Sequence, residues 1–322
     1  MKKVANLTAA RQARFQKLPS HQWLKVSFVL AVIFAMGSMM AGAASTDNAQ
    51  LPHIDAKRAF EYTREVTAFG PRYMGSENHK KLERFIIDHL KGDQVEDDAF
   101  TADTVEGKFP VRNIIAKFPG KKDGIIVILG HYDTVYPLRN SGFVGANDGG
   151  SSTAILLEFA NQLRKKRDGY SVWLVWTDGE EAVRRWTNTD SVYGARHLAE
   201  KWEKDGTLKK IKALMVMDMI GDADLDIARN TKGAPWLLDL IYSAAESEGY
   251  QSHFYAQEGP SEDDHVPFFD RGVPCADVID FDYGYNNVFW HSPQDTMDKL
   301  SSKSLQIVGD TILETIHLLD QR

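Results

Sequence analysis

The sequence predicts a single α/β domain, a mixed and mostly parallel central sheet with helices on both faces. Three observations carry that expectation. Apolar runs of strand length alternate with amphipathic helices from Gly124 to the end of the chain, and the runs are apolar throughout. No internal repeat or low-complexity linker breaks the pattern after the leader. Strands buried on both faces read this way, because helices cover each side of a parallel sheet.

The elements follow in order. Residues 55–69, "DAKRAFEYTREVTAF", have helical spacing, and the loop "GPRYMGS" stops them. "ENHKKLERFIIDHLKG" is a second amphipathic helix ended by glycine. Two strand-like segments, "DDAFTADTV" and "FPVRNIIAKFPG", lead into the regular part. There "GIIVILGHYDTV", "YSVWLVWTDG", "IKALMVMDMIGD" and "GVPCADVIDFD" read as buried strands. The helices between and after them are "SSTAILLEFANQLRKK", "SVYGARHLAEKWEK", "WLLDLIYSAAESEG" and "SSKSLQIVGDTILETIHLL".

The first 44 residues are set apart. Six Lys or Arg and no acidic residue precede "VSFVLAVIFAMGSMMAGAAS", an uncharged apolar run ending in small residues. This is the pattern of an export signal, either cleaved or kept as a membrane anchor. It places the catalytic part, residues 45–322, outside the cytoplasm, in the periplasm or beyond. The whole chain carries a formal charge of −7, and without the six leader cations 32 Lys and Arg face 45 Asp and Glu, a charge of −13. Such acidity argues against nucleic acid as a partner. Cys275 is the only cysteine, so no internal disulfide forms, and its setting in "GVPCADVIDF" is that of a small packed residue.

In parallel α/β folds, ligands bind beyond the carboxyl ends of the strands. Those ends carry His131 and Asp133 in "GHYDTV", Asp148 in "GANDGGSS", Glu180 and Glu181 in "TDGEEA", Asp218 in "MDMIGD" and His291 in "WHSPQDT". Each has an ordinary reading alone; Asp148, for instance, stands where it would cap a helix. Together they are the nitrogen and oxygen donors that Zn²⁺ takes, with Asp133 placed to orient the His131 ring.

In this order the motifs resemble the zinc-dependent aminopeptidases of family M28, from about Arg72 to the C-terminus. The resemblance implies a zinc-exopeptidase-like α/β/α sandwich. In that family Asp148 would bridge two zinc ions, with His131 and Asp218 on one and Glu181 and His291 on the other, and Glu180 as general base. Further details are closer to the glutaminyl-peptide cyclotransferases: "RYMGS", Trp186 within "DGEEAVRRWTNTDSVYGARHLAEKW", "SEDDHVPFFDRGVP" and Trp290 before His291. That likeness implies one catalytic zinc held by Asp148, Glu181 and His291. His131 and Asp218 remain as candidates for a second metal or as hydrogen-bonding neighbours. Glu180, Asp218 and Asp263 are then catalytic, Trp186 and Trp290 contact the substrate, and His265 is a structural partner of Asp263. The substrates implied are peptides or proteins with N-terminal glutamine, closed to pyroglutamate with loss of ammonia. Where animal members carry a histidine on the last strand, this chain has Asp277. A two-zinc aminopeptidase is the alternative, and a non-catalytic binding protein on the same fold is a third reading.

Overall fold

The computed structural model describes residues 53–322, and the leader expected over residues 1–44 lies outside the described residues. Two helices, α1 (Ala56–Ala68) and α2 (Glu77–His89), come first. Asp55 and Ser76 cap them, accepting the amides of Arg58 and His79 at 3.0 and 3.1 Å. A long antiparallel hairpin follows, β1 (Gln94–Thr104) and β2 (Gly107–Phe118). The regular α/β part then runs β3 (Lys122–His131), α3 (Gly150–Leu163), β4 (Tyr170–Thr177), α4 (Tyr193–Asp205) and β5 (Ile211–Asp218). The chain continues through β6 (Ile227–Asn230), α5 (Pro235–Ser247), β7 (Phe254–Gly259), a single turn α6 (Val266–Phe269), β8 (Cys275–Ile279) and α7 (Ser302–Asp320).

The six-stranded sheet has the order β1-β2-β4-β3-β5-β8. Its last four strands are mutually parallel, and β2 joins them antiparallel through β4. Period-two alternation sorts their side chains between two layers. Ile126, Ile128, Leu174, Met215 and Val278 face the layer containing α1, α2, α3, α5 and α7. Val127, Leu129, Val175, Val216 and Cys275 face α4 and α6, where Trp202 and Phe268 pack. Full burial of a side chain of this kind contributes about 1.5–3 kcal/mol. Cys275 is buried within that second layer, in keeping with its reading as a packing residue.

A two-stranded parallel sheet, β6 with β7, stands outside the main sheet, and the sequence reading does not anticipate it. β6 has four residues, two of them Arg229 and Asn230, too few to show a period. Because β3, β4 and β5 are parallel, His131, Thr177 and Asp218 end them at the same edge of the sheet.

Candidate active site

His131 and Asp218 close adjacent strands, and Asp148 reaches them from the loop before α3. His131 Nε2 lies 3.2 Å from both Asp148 Oδ1 and Asp218 Oδ1. Asp148 is not the helix cap: α3 starts behind Gly149, which makes no side-chain capping bond. Gly149 has φ +73°, and a Cβ there would stand 2.7 Å from the Asp133 carbonyl and 3.0 Å from the His131 ring. Only glycine lets the chain turn this close beneath the histidine. Asp148 is instead positioned by its backbone. The amides of Asn147 and Asp148 donate to the Asp295 carboxylate at 2.8 and 3.1 Å, and the Tyr283 hydroxyl donates to it at 2.8 Å. The buried Arg72 guanidinium holds the same loop, donating to the carbonyls of Tyr132, Val144, Gly145 and Asp148.

The loop with the two glutamates is clamped from both sides. Asp133 accepts the amides of Glu180 and Glu181 at 3.1 and 3.4 Å, and lies 3.6 Å from His131 Nδ1. The first amides of α4 and of its cap close onto the loop carbonyls: Val192 to Glu180 at 2.7 Å, Tyr193 to Gly179 at 2.8 Å and Gly194 to Asp178 at 3.0 Å. Val192 holds φ +43°, unusual for a β-branched residue, and this clamp is what it serves. Beneath the loop, buried His79 joins Asp178 at 2.7 Å and Glu83 at 3.2 Å.

His291 completes the site from the loop after β8. It also stands in the left-handed region, φ +47°, a conformation that costs of order 1–3 kcal/mol. Its Nε2 is 3.1 Å from Glu181 Oε1 and 3.3 Å from Asp148 Oδ2. Trp290 stacks on the His291 ring at 4.1 Å and meets Phe281 edge-on at 4.9 Å.

Asp148 therefore joins two triads, His131–Asp148–Asp218 and Asp148–Glu181–His291, whose donor atoms lie within 4.8 Å of one another. Asp148 Oδ2 is buried without a hydrogen-bond partner, and three carboxylates face only two imidazoles here. A divalent cation taking nitrogen and oxygen donors fits this imbalance. A third group of the same kind, His79–Glu83–Asp178, is tied down by Arg112, whose amide donates to Asp178 at 2.8 Å and whose guanidinium is 3.5 Å from Glu83. It is an ion-pair network under the loop.

A cavity of about 620 Å³ opens over the second triad. Glu180, Glu181, Asp148, Asp218 and His291 face it, Trp186 and Trp290 line its walls, and His131 does not reach it. Burial raises the Glu180 pKa well above the usual range; His131 opposes the shift, while Glu181, Asp263 and Asp264 add to it. Burial likewise takes Glu181 up to about 7, against the charge of His291. Burial pushes the Asp148 pKa up, but the close His131 and His291 rings hold it below its ordinary value.

Asp263 lies behind this wall, fully buried, among Asp264, Asp277 and Asp218. That placement makes it a neighbour of Glu180 and Asp218 that does not line the cavity. The expected partner of His265 is corrected. Asn230 Nδ2 lies 3.2 Å from its Nε2, while its Nδ1 is 3.8 Å from Asp277 and has no hydrogen-bond partner, so the partner it has is Asn230. Burial lowers its pKa to about 4, leaving it neutral. Sequence reasoning also missed the parts of Asp295, Arg72, Tyr283 and Asn230. Asp295 stands inside the quoted "WHSPQDT", and that motif is the signal that points to it.

A parallel α/β sheet whose strand ends gather two carboxylate–histidine triads around one shared aspartate defines a metallohydrolase-type centre. Residues 113–316 match the model of peptidase family M28. A glutaminyl-peptide cyclotransferase of Drosophila melanogaster is 31% identical over 253 residues, covering 70% of this chain and 70% of the relative. The solved structure of an Acidobacteriales bacterium glutaminyl cyclase superposes with a TM-score of 0.84 at 49% identity, covering 88% of this chain and all of that one. A zinc-dependent exopeptidase of Parabacteroides distasonis superposes with a TM-score of 0.75 at 25% identity, over 84% of this chain and all of that one. The chain belongs to peptidase family M28 and, within it, to the glutaminyl-peptide cyclotransferases.

Proposed function

We propose that the protein closes N-terminal glutamine of peptides and proteins to pyroglutamate, releasing ammonia, with one zinc ion held by Asp148, Glu181 and His291. The observation that carries this reading is Glu180, buried in the cavity wall next to a metal-binding triad and pushed towards the protonated form. Bound zinc supplies Lewis acidity towards the side-chain carbonyl of the glutamine.

The remaining steps belong to the chain. The α-amine nitrogen of the substrate bonds to its own side-chain carbonyl carbon, and the bond from that carbon to the amide nitrogen breaks. Glu180 takes the proton that the α-amine gives up and hands it to the departing ammonia. A carboxyl whose pKa is lifted towards neutrality does both tasks well. Burial, with Glu181, Asp263 and Asp264 crowded beside it, favours the protonated form of Glu180. Trp186 and Trp290 narrow the cavity and exclude water, so that the amine and not water attacks.

The test offers the purified protein a Gln-initiated and a Leu-initiated peptide and analyses the products. Ammonia and a cyclised Gln peptide, with the Leu peptide intact, is the expected result. Free leucine identifies a two-zinc aminopeptidase and overturns the reading. The basic and apolar leader supports export of the catalytic domain, and cell fractionation that finds the enzyme in the cytosol overturns that part.

A further inference from the structure

The mouth of the cavity differs in charge from its floor. The floor presents Asp148, Glu180, Glu181 and Asp218, whereas one side of the mouth presents Arg184 and Arg185. Arg184 is engaged: its guanidinium donates to Glu106 Oε1 at 2.7 Å, on the turn between β1 and β2. Glu262 also lines the cavity and is itself paired with Lys232. Arg185 lines the same cavity, is exposed, and pairs with no carboxylate among the described residues. It is a cation left over at the entrance of a strongly acidic site.

Its backbone is fixed. The buried Asp190 carboxylate accepts three consecutive amides, Val183 at 3.1 Å, Arg184 at 3.0 Å and Arg185 at 3.0 Å, together with the Tyr193 hydroxyl at 2.8 Å. These donors hold Asp190 ionised, outweighing the upward push of burial. Arg196 adds a second brace, donating to the carbonyls of Ser191 at 3.1 Å and Thr189 at 3.3 Å. A cation on a braced loop binds an anion with less ordering cost than one on a free loop. The cavity of about 620 Å³ is larger than one glutamine side chain needs, and an extended peptide advances about 3.3–3.6 Å per residue. With glutamine on the floor, the chain after it runs out past this rim.

We propose that Arg185 is a specificity residue that recognises a carboxylate just after the N-terminal glutamine. This rests on the cyclase reading above and names the substrate class of the same site. The carboxylate has two sources, an acidic side chain in the second position or the C-terminus of a short peptide. Arg185, unpaired among the described residues at this rim, is the cation that meets either.

The experiment measures kcat/KM for Gln-Ala-Ala-amide, Gln-Glu-Ala-amide and Gln-Lys-Ala-amide, and for Gln-Ala as free acid and as amide. The expected order is Glu above Ala above Lys, by about three- to tenfold per step at low salt and less at high salt, as for a partly exposed ion pair. The difference is carried by KM. Arg185→Ala brings the Glu-to-Ala ratio towards one, Arg185→Lys keeps part of it, and Arg185→Glu reverses it in favour of Lys. A preference confined to the free-acid dipeptide assigns the site to a terminal carboxylate. Equal rates across both series in the wild type, or a ratio that survives Arg185→Ala, overturn the proposal while cyclisation of the neutral peptide still stands. No cyclisation of the neutral peptide overturns the cyclase reading and this proposal with it.

Discussion

The two sides of Asp148 are made of the same residue types and sit in different surroundings. On one side His131, with 1% of its side chain exposed, is wedged between Asp148 and Asp218, and its carbonyl takes the hydroxyl of Ser152 at 3.0 Å. Both His131 and Asp218 end strands, so the sheet itself fixes them. On the other side Glu181 and His291 come from loops, His291 from a strained one with 27% of its side chain exposed. His131 is an extension of the core and does not reach the cavity, whereas Asp218, Glu181 and His291 all face it. The difference teaches that access, more than donor chemistry, distinguishes His131 from His291.

The largest expected effect comes from the open side. Glu180→Gln removes the proton carrier and keeps the shape, so kcat falls by about 10²–10⁴-fold. Zinc content and melting temperature stay close to wild type, measured by elemental analysis and thermal unfolding. A rate within a few-fold of wild type breaks the comparison at once.

The next sharpens it. Asp218→Asn is expected to retain zinc and lose part of kcat, whereas Glu181→Gln is expected to lose zinc first, read by equilibrium dialysis. Reversed zinc retention would move the metal to the side of His131 and Asp218.

Asp295→Ala tests the support of Asp148 itself. It strands two buried amides and the Tyr283 hydroxyl, at about 1–3 kcal/mol for each group left unsatisfied. The melting temperature drops and zinc affinity weakens with it. Substitution with no effect on either would mean that Arg72 alone positions the loop.

The smallest effect is a pH dependence beneath the glutamate loop. Burial alone would lower the His79 pKa, but the charge and hydrogen bond of Asp178, with Glu83, raise it from 6.5 to about 10. Protonated His79 therefore stabilises the fold fully below about pH 6.5, and the contribution is lost as pH rises towards about 10. Melting temperature followed over that range should fall in the wild type and slope less in His79→Gln.

Much of this site was legible before any coordinates, for a physical reason. Fully apolar strands imply a parallel sheet, and a parallel sheet sends all its strand ends to one edge, so His131, Asp148, Glu180, Glu181, Asp218 and His291 could be grouped from their places in the chain alone. What stayed hidden acts through distant contacts that leave no period. Asp295 meets Asp148 across almost half the chain, Arg72 holds its loop through backbone carbonyls of any sequence, and β6 is too short to alternate. His265 was given the wrong partner because nearness in sequence stood in for contact in space.

The most direct measurement is zinc per chain in the active wild-type enzyme, set beside His291→Ala. One zinc per chain, lost in the variant together with Gln cyclisation, is the result this account predicts. Two zincs per chain, or a single zinc that survives removal of His291, would contradict it.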